Sequence, residues 1–444
     1  MTADKKQNKK TLFLLGVFSA TQINLGGYLG ISEFIMLAWA PFVFMRNRNL
    51  FRRDCVMPVL CLAFLWLCNG ILSDVVNGVP LRMSIKGLAN IFVVIATITC
   101  VYPLLRKCPN HLKWFLLGSA ISSVISIFVF QKGSAYNANV ASGSQSLIES
   151  VVEYKLFWLN MACQWGMLPI MGWYPSVPMA YSMFALSGLS VFALLRGGRS
   201  AFLAIVASLF LILIGKKRQA SIRFISKNII LIILGLGLCA VGVKVVYKKL
   251  VTTGVLGEGE QQKYEVQTRQ GEDILHLLMG GRVEFFVGIF AAAEKPFIGH
   301  GTHALDVDHY YPRFVAEYGN EEDAVGLASW YDRMSREGLA AHIPAHSHIV
   351  MFWLWHGIFG LIFWGYVVCL ILSVVKSHLH VMPEYFGYFA CVIPSMLWAI
   401  FFSPFGGRTE KCVLIVCCLL VRAIKKQNGR LYSGISPLIK IPRR

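Results

Sequence analysis

Apolar runs of about 20 residues, the length that crosses a hydrocarbon core, recur along most of the chain with short polar stretches between them. One long polar stretch, Lys248–Ala345, interrupts the pattern. Read as helices, the runs give twelve spans: 11–26, 28–45, 55–71, 87–105, 113–130, 156–172, 177–195, 199–214, 228–247, 346–374, 385–403 and 408–423. Backbone polar groups in lipid must pair within their own segment, so apolar runs of this kind predict helices rather than open strands. The expected fold is an all-α polytopic membrane protein with one large extramembrane loop. Its divisions are helices 1–9 over 1–247, the loop over 248–345, helices 10–12 over 346–423, and a basic tail over 424–444.

Composition agrees with this pattern: 56% of the 444 residues are hydrophobic and the mean hydropathy is +0.58. The net charge of +19 raises nucleic acid as a partner, but its distribution argues for topology instead. Basic clusters at Lys5–Lys10, Arg46–Arg53, Arg106–Lys113, Lys216–Lys227 and from Arg422 onward fall between apolar runs. With the N-terminus in the cytoplasm and twelve spans, all of them face the cytoplasm, as the positive-inside rule requires. Omitting the interrupted sixth span, which contains Asn160 and Gln164, would turn Lys216–Lys227 outward. Both termini are therefore expected in the cytoplasm and the Lys248–Ala345 loop outside it, with lipid rather than nucleic acid as the partner. The N-terminus carries no convincing cleavage site, so a retained first helix is expected. None of the twelve cysteines lies in the loop, which argues against a disulfide framework there.

Within the loop, Gly254–Gly271 reads as a flexible Gly/Glu/Gln-rich stretch. Glu272–Ala293 has helical periodicity, and Pro296–Gly301 reads as a turn. Gly326–Leu339, with Trp330 and Tyr331, reads as an amphipathic surface helix.

Candidate chemistry is concentrated on this outer side. Arg199 opens the eighth span in Arg196-Gly-Gly-Arg199-Ser. A guanidinium grips phosphate through paired donors, and a helix start favours an anion. Arg199 thus reads either as a phosphate clamp or as an interfacial anchor reaching for headgroups, and Arg196 more simply as an anchor. Arg282, in Gly280-Gly-Arg-Val-Glu-Phe-Phe286, reads as a second cation or as a solvated arginine paired with Glu284 or Asp273. Eight of the eleven histidines lie between His276 and His356, but at no standard zinc spacing, so no metal is expected. His346 ends the loop and starts a helix, where a neutral imidazole is suited to take a proton from a hydroxyl. Asp306, Asp308 and Glu317 read as sugar-hydroxyl acceptors or as ordinary solvated surface.

The order of these features is more specific than any one of them. Gly-Gly-Arg199-Ser is followed by Gly-Gly-Arg282-Val-Glu-Phe-Phe, then Glu294-Lys-Pro-Phe-Ile-Gly-His-Gly301, then Ala-His346-Ser-His348 with Gly357 and Gly360 beyond. Over Gly197–Gly360 the chain resembles the O-antigen ligase/polymerase family, twelve-helix bacterial glycosyltransferases with a GT-C-like architecture and a large periplasmic loop. The resemblance implies an inner-membrane, metal-independent, inverting transfer without a cofactor. A glycan on undecaprenyl diphosphate would pass to an acceptor hydroxyl, that of lipid A-core in a ligase. It also implies Arg199 and Arg282 on the leaving diphosphate and His346 as general base. Arg196, His348, Trp330 and Tyr331 are the expected substrate-binding residues. The family carries Asn after its histidine, whereas Ser347 and His348 stand here, so His348 competes for the role of base. The chain shows no clear Arg-x10-Gly partner loop before these motifs, which favours ligase over polymerase. The residues also leave open oligosaccharyl transfer to protein and, outside enzymes, transport. Transport predicts mid-span charge and internal repeats, and Glu33 is the clearest charge within a span.

Overall fold

The computed structural model describes residues 3–19, 22–24, 28–129, 184, 186–190, 199–215, 248–249, 252–253, 274–318, 342–377, 382, 385–403 and 408–433. These form an almost wholly helical membrane protein in which three helices are long and apolar enough to cross a bilayer: Met57–Val76, Leu81–Lys107 and Ile358–Val375. The expected sixth and ninth spans, most of the seventh, and the 254–271 and 326–339 stretches lie outside the described residues.

Helix α1 (Ala3–Val17) precedes a short antiparallel hairpin, β1 (Gln22–Asn24) with β2 (Tyr28–Gly30), paired Gln22 to Gly30. Helix α2 (Ile31–Arg53) begins directly after it. The expected spans 11–26 and 28–45 are displaced accordingly. Residues 22–24 pair with 28–30 as strands rather than helix, and the Gly30 N–H donates to Glu33 Oε2 at 2.8 Å, which sets the start of α2. Helices α3 (Met57–Val76) and α4 (Leu81–Lys107) follow, then a 3-10 turn and α5 (Leu112–Val129). α1 and α5 approach closely because Gly16 and Gly118 meet backbone carbonyls of the opposite helix, those of Phe115 and Phe13.

α4 is the axis of the N-terminal half, and α2 and α3 both lie along it. Asp54, in the turn between them, accepts from Arg106 Nε at 2.7 Å and from the Tyr102 hydroxyl at 2.9 Å, which pins that turn to the far end of α4. α4 also packs against the last helix, α12 (Arg408–Ser433). At the opposite end of α4, Arg408 grips Glu33 through Nη2 at 2.9 Å and Nε at 3.1 Å, and Asn90 Oδ1 accepts from its Nη1 at 2.9 Å. The carboxylate is only 4% exposed, so this charge is buried together with its partner.

The remaining named helices are α6 (Arg199–Gly215), α7 (Ile274–Glu294), α8 (Tyr310–Tyr318), α9 (His348–His356), α10 (Ile358–Ser377) and α11 (Phe386–Phe402). The single span expected over 346–374 is instead two helices broken at Gly357, whose φ is +65°. They fold back on each other. In a continuous helix, residues 348 and 364 would be roughly 24 Å apart, whereas the His348 and Trp364 ring centroids are 5.0 Å apart. Phe352 stacks on Trp364 at 6.1 Å, and Gly360 lies against the Phe352 carbonyl. The sequence shows one apolar run because α9 is buried and α10 is apolar enough to cross a bilayer.

Candidate functional site

Helix α9 ends inside the protein, and a helix end exposes carbonyls that need donors. The Glu294–Gly301 turn supplies several of them. The His300 N–H donates to the Leu354 carbonyl at 2.7 Å and the Gly301 N–H to that of Trp355 at 3.1 Å. Ser73 Oγ also donates to Trp355 O at 2.7 Å, and Asn69 Nδ2 donates to the His356 carbonyl. In return, the Phe297 carbonyl accepts from the Ile358 N–H at 3.2 Å. Gly299 (φ +87°) sits with its α-carbon face against Gly357 N and the Trp355 and Leu354 carbonyls, where a Cβ would stand 2.7–2.8 Å from them. The turn motif is therefore a cap that locks the segment after α7 onto the break in the α9–α10 hairpin.

Asn69, Ser73 and Asn77 recur every fourth residue along α3, a polar stripe in the sequence that marks this docking face and that motif reasoning passes over. Asp74, equally outside the sequence motifs, accepts from Thr302 N at 2.7 Å and from Thr302 Oγ1 at 3.1 Å. Thr302 Oγ1 is in turn 3.0 Å from His356 Nε2, and Trp66 Nε1 donates to His356 Nδ1 at 3.0 Å. Because an indole N–H can only donate, Nδ1 is the acceptor and the proton of the neutral ring sits on Nε2. This closed chain joins α3, the turn and α9.

Helix α7 approaches the other end of α9. A Cβ on Gly288 would lie 2.7 Å from a Val350 methyl and 3.3 Å from Ala345 Cβ, so the missing side chain permits the contact. One turn earlier on α7, Glu284 Oε1 stands 3.9 Å from His346 Nδ1, with half of the imidazole exposed. Ser347 caps α9, accepting from the Val350 N–H at 3.2 Å and donating to the Ile400 carbonyl of α11 at 2.9 Å. The cap separates two histidines that look equivalent in the sequence. His346 precedes the helix and faces solvent, whereas His348 lies within it, fully buried, with Nε2 3.0 Å from Lys411 Nζ. His348, expected as a substrate contact, is thus closed to solvent in this structure, whereas His346 is open to it.

Arg199 is the first residue of α6, and Arg282 lies on α7 two residues before Glu284. Arg196, Trp330 and Tyr331 lie outside the described residues. Asp306, a candidate sugar ligand, is instead buried and caps α8, accepting from the Tyr310 N–H at 2.7 Å and the Tyr311 N–H at 3.1 Å. Asp308 and Glu317 are exposed. Among the described residues, no three His, Cys, Asp or Glu side chains converge as a metal site.

Two histidines of the turn are held neutral. Burial lowers the pKa of His300, which the Ala291 carbonyl 2.8 Å from its Nε2 partly offsets. Burial also lowers that of His303, followed by repulsion from His342 and Lys86. No protein-family model and no curated protein matches this chain.

Proposed function

We propose that this protein is a membrane-embedded glycosyltransferase of the O-antigen ligase/polymerase type. It passes a glycan from undecaprenyl diphosphate to a hydroxyl of lipid A-core at the periplasmic face of the bacterial inner membrane, with twelve spans and both termini in the cytoplasm. The single observation that carries this reading is the pairing of His346 with Glu284 on the helix that also bears Arg282. An exposed imidazole with a carboxylate nearby suits a general base, because the carboxylate favours the imidazolium formed on proton uptake.

His346 takes the proton of the acceptor hydroxyl as its oxygen attacks the anomeric carbon. The bond from that carbon to the diphosphate oxygen breaks with inversion, and undecaprenyl diphosphate leaves as an anion. Arg282 and Arg199 stabilise the charge that accumulates there. Helix register supports the position of Arg199. Ser208 Oγ is 3.4 Å from the Cys391 carbonyl. With α6 and α11 antiparallel, as alternating spans require, Arg199 then lies level with Ile400, whose carbonyl holds Ser347. Exposure favours His346 over His348 as base.

The test is transfer by purified protein in liposomes, with a polyprenyl-diphosphate glycan, lipid A-core and EDTA. Donor consumption with an upward shift of the acceptor on a gel is expected. His346→Ala should lower the rate by roughly 10²–10⁴-fold, and Arg199→Lys should lose most of it. Long free chains with unmodified acceptor would make the enzyme a polymerase. Unconsumed donor would refute glycosyl transfer.

A further inference from the structure

The end of the N-terminal bundle away from the loop contains a feature that the transfer chemistry does not use. α2 and α3 diverge from their shared turn at Asp54–Val56, and each lies along α4 rather than along the other. The wedge between them is a cavity of about 710 Å³. Its walls are apolar: Leu37, Pro41 and Phe44 from α2, Leu60 and Phe64 from α3, and Ile95 from α4. Phe64, at 59% exposure, marks the side open to the surrounding medium. An open apolar slot on a membrane helix bundle is filled by hydrocarbon, because no water can be satisfied there.

The α2–α3 turn beyond the slot is strongly basic. Arg48 and Arg52 are exposed on the part of α2 that leads from Phe44 into the turn at Asp54. Arg53 and Arg106 are held by Asp54, at 3.3 and 2.7 Å. The α2 backbone departs from helix at Asn47 (φ −116°, ψ 16°), where the wall of the slot passes into the basic turn. Hydrocarbon beneath paired guanidinium groups matches one ligand chemistry, an acyl chain carrying a phosphate headgroup.

We infer that the α2–α3–α4 wedge is a binding site for an anionic phospholipid of the cytoplasmic leaflet, with one acyl chain in the slot and its phosphate on Arg48 and Arg52. The donor's polyprenyl chain is not the occupant, because its diphosphate must reach the Arg282 end of the molecule, and α2 and α3 present their basic turn at the other end. The choice of leaflet and the exclusion of the donor rest on the proposed function, whereas lipid binding itself requires no glycosyl transfer.

The experiment is native mass spectrometry of the purified full chain in detergent, titrated with phosphatidylglycerol or with phosphatidylcholine of the same acyl chains. Phosphatidylglycerol should bind roughly tenfold more tightly, the scale set by basic side chains at an anionic headgroup. Arg48→Gln/Arg52→Gln, both on the exposed surface, should remove the preference and leave phosphatidylcholine binding unchanged. Cys61→Trp, which fills the slot from an exposed wall position, should weaken both lipids. Equal binding of the two lipids by the native chain, a preference that survives the double arginine variant, or displacement of phosphatidylglycerol by undecaprenyl phosphate would each overturn the assignment.

Discussion

Glu284 Oε1 and His346 Nδ1 stand 3.9 Å apart although 62 residues of chain separate them. Neither side chain is buried, with the carboxylate 32% and the imidazole 51% exposed. The contact exists because Gly288 lets α7 settle against Ala345 and Val350, and because Ser347 fixes the start of α9. At this distance the two groups interact through charge rather than a hydrogen bond, so the carboxylate favours a proton on the imidazole.

Glu284→Gln should therefore reduce transfer without preventing assembly. Its amide keeps the size of the carboxylate but lacks the charge that favours a proton on His346. The expected result is a fall in kcat of roughly tenfold or more, little change in KM, and a shift in the pH profile. Steady-state kinetics of the reconstituted protein measure all three. An unchanged pH profile would make Glu284 a bystander.

Much of this arrangement is legible in the residues, and the failures have physical causes. The helix expected over 272–293 is found at Ile274–Glu294, because its apolar positions recur with a true helical period. A helix begins at Arg408, where the last span is expected to begin, and continues to Ser433, beyond the expected end at 423. The α9–α10 hairpin is not legible, because hydropathy cannot tell one apolar helix from two that fold together. His346 and His348 cannot be ranked from sequence, since only the cap at Ser347 assigns one to solvent and the other to Lys411. Asp306 reads as a surface carboxylate because its partners are backbone amides, which a pattern of side chains does not display.

Gly357 bears the hairpin. Its φ of +65° is a conformation that side chains with a Cβ avoid, and a Cβ there would strike the Phe297 carbonyl. Gly357→Ala should cost about 1–3 kcal/mol. It should also detach the Glu294–Gly301 turn, so a lower unfolding temperature and lost transfer should appear together. Gly365→Ala on α10, where nothing lies within 4 Å, is the matched control and should be neutral or slightly stabilising. Equal behaviour of the two variants in thermal melts would contradict the capped-hairpin account.

Glu33 and Arg408 test whether charge within the bundle is structural. Glu33→Ala leaves a guanidinium that is only 15% exposed without its carboxylate. The expected loss is about 3–5 kcal/mol, the usual cost of breaking a buried pair from one side. Replacing both residues, as Glu33→Leu/Arg408→Met, removes the uncompensated charge and should recover most of that loss. Unfolding midpoints in a common detergent decide between them. A double variant worse than the single one would mean that the pair does more than compensate its own burial.

The turn that joins loop to hairpin should loosen in acid. The pKa values of His300 and His303 are both lowered from 6.5 by burial, so each binds a proton more readily in the unfolded chain than in the folded one. Stability is then complete above about 6.5, the unfolded value, and falls as pH drops below it, because there the unfolded state holds more protons. The charged groups facing His300 (Glu294, Lys295 and Asp308) and those facing His303 (His342, Lys86 and Asp74) modify this trend, but burial dominates at both sites. Hydrogen exchange over 295–309 should accelerate between pH 7 and pH 5, beyond the intrinsic rate change, while α4 stays protected. His300→Gln keeps a donor toward the Ala291 carbonyl and cannot titrate, so it should flatten the response. An identical pH response in that variant would mean that His300 is not the titrating group.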